Sequence, residues 1–420
     1  QSNPIQSNPM LPRIATRLRT ARNYSINSRR NYGSSRKNHN HNHDLNRNRK
    51  CRVIVCGVGG RMGAIRTDLV YANPRFELCG VCDTDRDAVE AVADAYSTLA
   101  FGDLESALDQ FRLETNSGTT GDSHSHSHSK QTTLDGVLVA TPTPSHGDCI
   151  RTAAAHGLGI FVEKPVAESP AEISELYAVC ENSGDESSSV PLCCGFQRRF
   201  DASYANAARL LREKTIGTVS SARVVFGDSP GPSLDFLVEG GNIFSDLCVH
   251  DVDFLRWALG SGNDGGGEIE TVFACGSSSR EELAERNIQD HATMVLTTKG
   301  GTVATIALHR FSAYGYDQRC EFFGSTGNIE IGNPSETTTK WSGFDGGRSS
   351  RLLHSFDTRF RDAFANEVDA FADALLGVAE WPVTRDDVIR VQQVAEAAKR
   401  SLETNAVVRL EPPLASSSSS

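Results

Sequence analysis

The run Arg52-Val-Ile-Val-Cys56, followed at once by Gly57-Val-Gly59-Gly60-Arg61-Met62-Gly63, constrains this chain more than any other feature. A short apolar run rich in β-branched residues reads as a strand buried on both faces. Glycines directly after it let the backbone turn sharply, and residues 61–72 suit a helix. The same alternation then repeats. Strand Phe76–Cys82 ends at Asp83, followed by a helix over 85–96. A strand over 134–140 ends in Thr141-Pro142, followed by a helix over 145–156. Strand Gly159–Val162, a helix over 170–182 and a strand over 190–195 complete the series. Strands and helices alternating at this pitch predict an α/β fold with a Rossmann-type, doubly wound parallel sheet.

Beyond residue 200 the pattern changes. A helix over 202–213 leads into strands at 219–227, 269–276, 291–298, 302–309 and 318–324, and helices near 361–376 and 385–403 close the chain. Successive strands with few helices predict a C-terminal α+β domain built on a large, open, mostly antiparallel sheet. The expected domains are 51–195, with a loop insertion at 114–133, and 196–410, between a basic leader at 1–50 and a tail at 411–420.

Charge separates the leader from the body. Residues 1–50 carry 11 Lys/Arg and one acid, Asp44, whereas the remaining 370 residues carry a net −21. An Arg-rich, Ser-rich leader with one acid, locally amphipathic from Leu11 to Tyr24, has the composition of an organelle transit peptide. It implies a mitochondrial or plastid address if the leader is genuine, and a cytoplasmic protein if it is only a solvated tail. The acidic body argues against a nucleic-acid partner, and no run of about 18 apolar residues offers a membrane span. The 11 cysteines are scattered, mostly in apolar runs, as buried thiols in a reducing compartment are. Cys79 and Cys82 have redox or zinc spacing but no second pair, and the Ser-His repeat holding His124, His126 and His128 reads as a solvated loop. No metal is expected.

Three constellations carry chemistry. The first is the glycine loop, where a helix N-terminus and a closely approaching backbone suit a pyrophosphate. Its spacing departs from G-x-G-x-x-G, since Met62 stands where the third glycine belongs; a Gly57/Gly60/Gly63 reading retains three. Asp83, 26 residues after Gly57, can accept hydrogen bonds from both ribose hydroxyls, which favours NAD, while Arg86 leaves NADP open. The second is Glu163-Lys164-Pro165 at a strand's carboxyl end, where ligands of such sheets sit. The third is Asp246, His250 and Asp253 at i, i+4 and i+7 of a helix running to about Ala258, which places them on one face. Asp246 can orient the His250 imidazole and leave its other nitrogen as a base. Between the domains, Gly195-Phe-Gln-Arg198-Arg199-Phe200-Asp201 reads as an interdomain clamp or an anion contact.

In chain order, the Gly57–Gly63 loop, Asp83, Ala140-Thr141-Pro142-Thr-Pro-Ser-His146, Glu163-Lys164-Pro165, the 195–201 segment and the 240–253 segment together resemble the Gfo/Idh/MocA oxidoreductases. Within that family, the 195–201 segment, Tyr314-Gly-Tyr316-Asp-Gln-Arg-Cys-Glu321 and Arg359-Phe-Arg-Asp-Ala-Phe364 are similar to the inositol 2-dehydrogenase branch. The resemblance implies an NAD(P)-dependent dehydrogenase of a cyclic polyol or sugar, and a homo-oligomer, dimer or tetramer, assembled through the open sheet. It implies Lys164, Asp246 and His250 as catalytic residues. It implies a cofactor site of Gly57, Gly59, Gly60, Arg61, Met62, Asp83, Thr141, Pro142, His146, Glu163 and Lys164. Asn242 and Tyr316 join Lys164, Asp246 and His250 as substrate contacts. Other sugar or dihydrodiol dehydrogenases of the family remain alternatives, as does a non-catalytic NAD(P) sensor on the same fold.

Overall fold

The computed structural model describes residues 49–117, 134–183, 189–239, 242–261 and 265–411. The leader up to residue 48, the Ser-His repeat, Gly240, Gly241 and the tail from 412 lie outside the described residues. The described chain forms two compact units. The first takes in residues up to 167, 174–195 and 367–382; the second takes in 168–173, 196–366 and the chain from 383 onward. The division expected from chain order alone therefore misplaces 367–382.

In the first unit, β1 (Cys51–Cys56), β2 (Phe76–Cys82), β3 (Leu99–Phe101), β4 (Gly136–Val139), β5 (Gly159–Val162) and β6 (Leu192–Cys194) form one sheet in the order β3-β2-β1-β4-β5-β6. Every pairing in it is parallel. The connecting helices are α1 (Arg61–Ala72), α2 (Arg86–Tyr96), α3 (Leu104–Ser117), α4 (His146–Ala155) and α5 (Pro170–Asn182). Asp85 caps α2, its carboxylate accepting from the Ala88 N–H at 3.1 Å. β3 was not foreseen, because its three residues carry no buried apolar run. α3 reaches Ser117, so 114–117 are helical rather than part of the expected loop insertion.

All four residues of β4 and of β5 are buried, as a sheet covered on both faces requires. The core on one face joins Val53, Val55, Leu138 and Phe161 to Val368, Phe371 and Leu376 from the distant 367–382 segment. Phe161 meets the rings of Phe371 and Trp381 edge-on, at centroid distances of 5.8 and 5.9 Å.

In the second unit, β7 (Val219–Gly227), β8 (Ile269–Ser277), β9 (His291–Thr298), β10 (Val303–His309), β11 (Asp317–Gly324), β12 (Asn328–Ile331) and β15 (Val408–Arg409) pair in the order β12-β11-β7-β10-β9-β8-β15. The small hairpin β13 (Lys340–Gly343) and β14 (Gly346–Ser349) stands apart from it. The sheet is mostly antiparallel, but β7 and β10 run parallel, so it is mixed. Its buried face (Val224, Phe226, Met294, Leu296, Ile306, Leu308, Phe322) lies on the side of α6 (Ala202–Arg212), α7 (Val249–Leu259) and α9 (Arg385–Thr404). Its other face leaves Val295, Val303 and Phe323 exposed. A further helix, α8 (Arg361–Leu375), belongs to the second unit up to Asn366 and to the first from Glu367. Among the described residues no helix is long and apolar enough to cross a membrane.

Candidate functional site

In the first unit the site is built from backbone. Gly57 holds φ at +84°, a conformation that disfavours any side chain, and a Cβ there would lie 2.5 Å from the Ala140 carbonyl oxygen. A Cβ at Gly63 would lie 2.0 Å from the Gly57 oxygen, so this glycine lets α1 pack against the turn. Gly60, by contrast, is exposed, and its nearest neighbour to a built Cβ is 3.4 Å away. It caps α1 with no side chain bonded to the helix N-terminus, and the first turn holds no acid. An open, positively polarised helix end beside exposed glycine backbone fits the pyrophosphate of NAD. Arg61 is exposed and Met62 half-buried on the same first turn.

Asp83 closes the other side of this loop. Its Oδ2 accepts from the Gly59 N–H at 2.7 Å and its Oδ1 from the Asp85 N–H at 2.9 Å. The carboxylate is thus fixed at the end of β2 and half-exposed, where a ribose diol can reach it. Arg86, which left NADP open, points its guanidinium at Glu90 at 2.9 Å.

Two of the expected cofactor residues, His146 and Glu163, are bonded to neighbouring parts of the first unit. His146 is buried, with Nδ1 2.9 Å from the Pro165 carbonyl oxygen and Nε2 2.9 Å from that of Thr141. Burial pushes its pKa down against the opposing pull of these carbonyls. Its ring ties the Thr141-Pro142 turn to the segment after Lys164. Glu163 is buried too, its Oε1 accepting from Arg66 Nε at 2.7 Å. Lys164 is half-buried between these two anchored neighbours.

In the second unit Asp246 lies in a single π-helical turn, Phe244–Cys248, that leads into α7. Asn242 caps this turn, its Oδ1 accepting from the Phe244 and Ser245 N–H groups at 2.9 and 3.1 Å and its Nδ2 donating to Ser245 Oγ at 3.0 Å. Asp246 Oδ2 accepts from Arg310 at 2.7 Å, a partner from just beyond β10 that the sequence reading missed. Nothing near Arg310 in sequence signals it. His250 is largely buried, with the rings of Phe196 and Phe226 at 6.1 and 6.4 Å. Tyr316 is buried between Phe226 and Phe360, and burial raises its pKa well above the ordinary value.

The one-face reading of Asp246, His250 and Asp253 needs correction. The π turn interrupts the helical spacing, and α7 is buried from Val249 to Arg256 on every side. Asp253 is an ion-pair partner, accepting from Arg199 Nε at 3.0 Å and from its terminal nitrogen at 2.5 Å. Arg198 likewise pairs with buried Asp251 and donates to Gln318 at 2.5 Å. The double arginine, expected as an interdomain clamp or an anion contact, thus makes ion pairs within the second unit. Burial pushes Asp251 and Asp253 up while their arginines pull them down. At Asp387 burial also pushes up, but Arg199 and Arg256 outweigh it and hold the carboxyl below its usual range. All 11 cysteines are free thiols, and no cluster of three metal-ligating side chains occurs among the described residues.

Comparison with known proteins gives one consistent result. Residues 51–189 match the oxidoreductase family with an NAD-binding Rossmann fold, and residues 204–330 match the GFO/IDH/MocA C-terminal domain. The chain is similar to the myo-inositol 2-dehydrogenase of Thermotoga maritima, at 33% identity over 66% of this chain and 80% of the relative. It is similar to the inositol 2-dehydrogenase of Rhizobium meliloti at 28% identity, covering 82% and 94% of the two chains. The crystal structure of a putative myo-inositol dehydrogenase from Sinorhizobium meliloti superposes with a TM-score of 0.73 at 27% identity, covering 86% of this chain and all of the other.

Proposed function

The chain belongs to the Gfo/Idh/MocA family of oxidoreductases, and from that premise we propose that it oxidises a secondary alcohol of a cyclic polyol, an inositol. As a member of that family it is an NAD-dependent dehydrogenase acting on CH–OH groups. The observation that carries the reading is the open glycine cradle with the Asp83 carboxylate held at its rim by the Gly59 N–H. The inositol dehydrogenases among its relatives support the polyol.

Bound NAD supplies the hydride acceptor. The chain's own residues handle the proton and the oxygen. His250 takes the proton of the reacting hydroxyl, and its largely desolvated surroundings strengthen that contact. Asp246, its carboxylate oriented by Arg310, stabilises the imidazolium that forms. Lys164 donates to the same oxygen and stabilises its developing negative charge. Gly57, Gly59, Gly60, Arg61, Met62, Asp83, Thr141 and Pro142 hold the cofactor, while Asn242 and Tyr316 stand near the substrate hydroxyls. The exposed outer face of the second sheet supports association between copies of the chain, which sedimentation would read directly.

The test is NADH formation by the purified chain across inositols, aldoses and dihydrodiols. Turnover on an inositol, lowered about 10²–10⁴-fold by His250→Ala, is the expected outcome. Tight NAD binding with silence on every alcohol would replace the enzyme by a sensor, and undiminished turnover in His250→Ala would remove the base.

A further inference from the structure

Lys164 is flanked in sequence by two residues that are each anchored deep in the first unit. On one side, Glu163 accepts from Arg66 Nε at 2.7 Å, and Arg66 donates from Nη2 to Glu367 Oε2 at 2.6 Å. Arg66 and Glu367 are 1% and 0% exposed, and the guanidinium lies 4.4 Å from the Phe161 ring centroid. The Glu163 N–H also donates to the Val139 carbonyl at 3.0 Å. On the other side, the Pro165 carbonyl meets His146 Nδ1 at 2.9 Å, and the far nitrogen of the same ring meets Thr141.

This wiring is expensive. Two carboxylates share one guanidinium out of reach of water, where a well-packed apolar cluster is often equally stable or more so. His146 is similarly demanding: a neutral imidazole has one N–H, so it donates to only one of its two carbonyl neighbours. Both features converge on the backbone from which the Lys164 side chain springs. That side chain has a flexible four-carbon stem, so its ammonium is only as well placed as its origin. A displacement of about 1 Å at a reacting group costs on the order of 10²-fold in rate.

We propose that Arg66, Glu367 and His146 are positioning residues that clamp the backbone of Lys164 from both sides and so set where its ammonium stands. The inference rests on the reading of Lys164 as the donor to the reacting oxygen, and two measurements separate it from that reading.

The first is a double-mutant cycle. Glu367→Gln and His146→Gln are compared in the parent and in a Lys164→Met background, with NAD affinity measured alongside. Each variant is expected to lower kcat by about 10- to 100-fold in the parent, to leave the Kd for NAD within about 3-fold, and to change kcat less than about 2-fold once Lys164 is gone. Equal losses in both backgrounds would overturn the clamp and leave the residues a role in the fold alone. The second measurement needs no turnover. Lysines are reductively methylated with ¹³C, and the Lys164 resonance is identified by Lys164→Arg. It is expected to shift or broaden in Glu367→Gln and in His146→Gln; an unmoved resonance overturns the clamp. If Lys164→Met keeps full turnover, its catalytic reading fails and the resonance alone decides the clamp. Should Glu367→Gln not fold, Glu367→Asp, which keeps the charge but shortens its reach, carries both measurements.

Discussion

The two sheets of this protein bury their residues in different ways. In the six-stranded parallel sheet, consecutive residues are equally buried: Val53, Ile54 and Val55 are all inaccessible. In the seven-stranded sheet, burial alternates along each strand. Ile306 and Leu308 are inaccessible, whereas Thr305 and Ala307 between them are half-exposed and Val303 is exposed. The first sheet has helices over both faces and the second over one. The layers beneath them differ as well. The described part of the first unit places one buried ionic cluster, Arg66 with Glu163 and Glu367, beside an apolar core. The second sets Arg198, Arg199 and Arg256 against Asp251, Asp253, Glu268 and Asp387. A sheet that shows a polar face to water can be read from its period; a layer of buried ion pairs cannot.

The comparison can be broken most forcefully at the ionic layer. Arg199→Met leaves Asp253 and Asp387 buried without their shared guanidinium, and is expected to cost about 3–5 kcal/mol in urea unfolding. A loss below about 1 kcal/mol would mean that water already reaches these carboxylates.

A smaller effect tests the sheets themselves. Ile54→Ala and Val55→Ala, adjacent in β1, are each expected to destabilise, by about 2–5 and about 1–3 kcal/mol respectively. In β10, Ile306→Ala should also cost about 2–5 kcal/mol, but its neighbour Thr305→Ala only about 0.5 kcal/mol. Equal losses at 305 and 306 would show that the second face is covered in solution, as an assembled sheet would be.

The smallest effect is a pH slope. Burial pushes the Glu367 carboxyl up to about 7 from an ordinary 4.5, with Arg66 pulling it back and Glu163 adding to the rise. The folded chain therefore holds a proton that the unfolded chain releases. This contribution to stability is fully present below about 4.5 and is lost as pH rises through about 7. Glu367→Gln should remove that slope and gain on the parent between about pH 5 and pH 8 in urea midpoints. An unchanged slope would assign the proton elsewhere.

Much of the cofactor half was legible because its determinants are local. A positive φ at Gly57 and the absence of a Cβ at Gly63 are properties of single residues in a strand–turn–helix, and Asp83 simply ends the next strand. The helices over 61–72 and 170–182 have the expected bounds for the same reason. Asp253 was misread because α7 is buried on every side, so its carboxylate needs an ion-pair partner, Arg199, that helical spacing does not record. The parallel pairing of β7 with β10 was missed because strand order is not written in strand period.

Taken alone, the sequence determined the alternating β/α half, the glycine cradle and its carboxylate, and the family to which the chain belongs. These depend on backbone conformation and on residues close together along the chain. Tertiary structure alone decided that 367–382 completes the first core, that Glu367 meets Arg66 across 301 residues and that Arg310 meets Asp246 across 64. A buried charge must find its partner wherever the fold brings one, since leaving it unpaired away from water costs several kcal/mol. That requirement acts through space, and no local pattern records it.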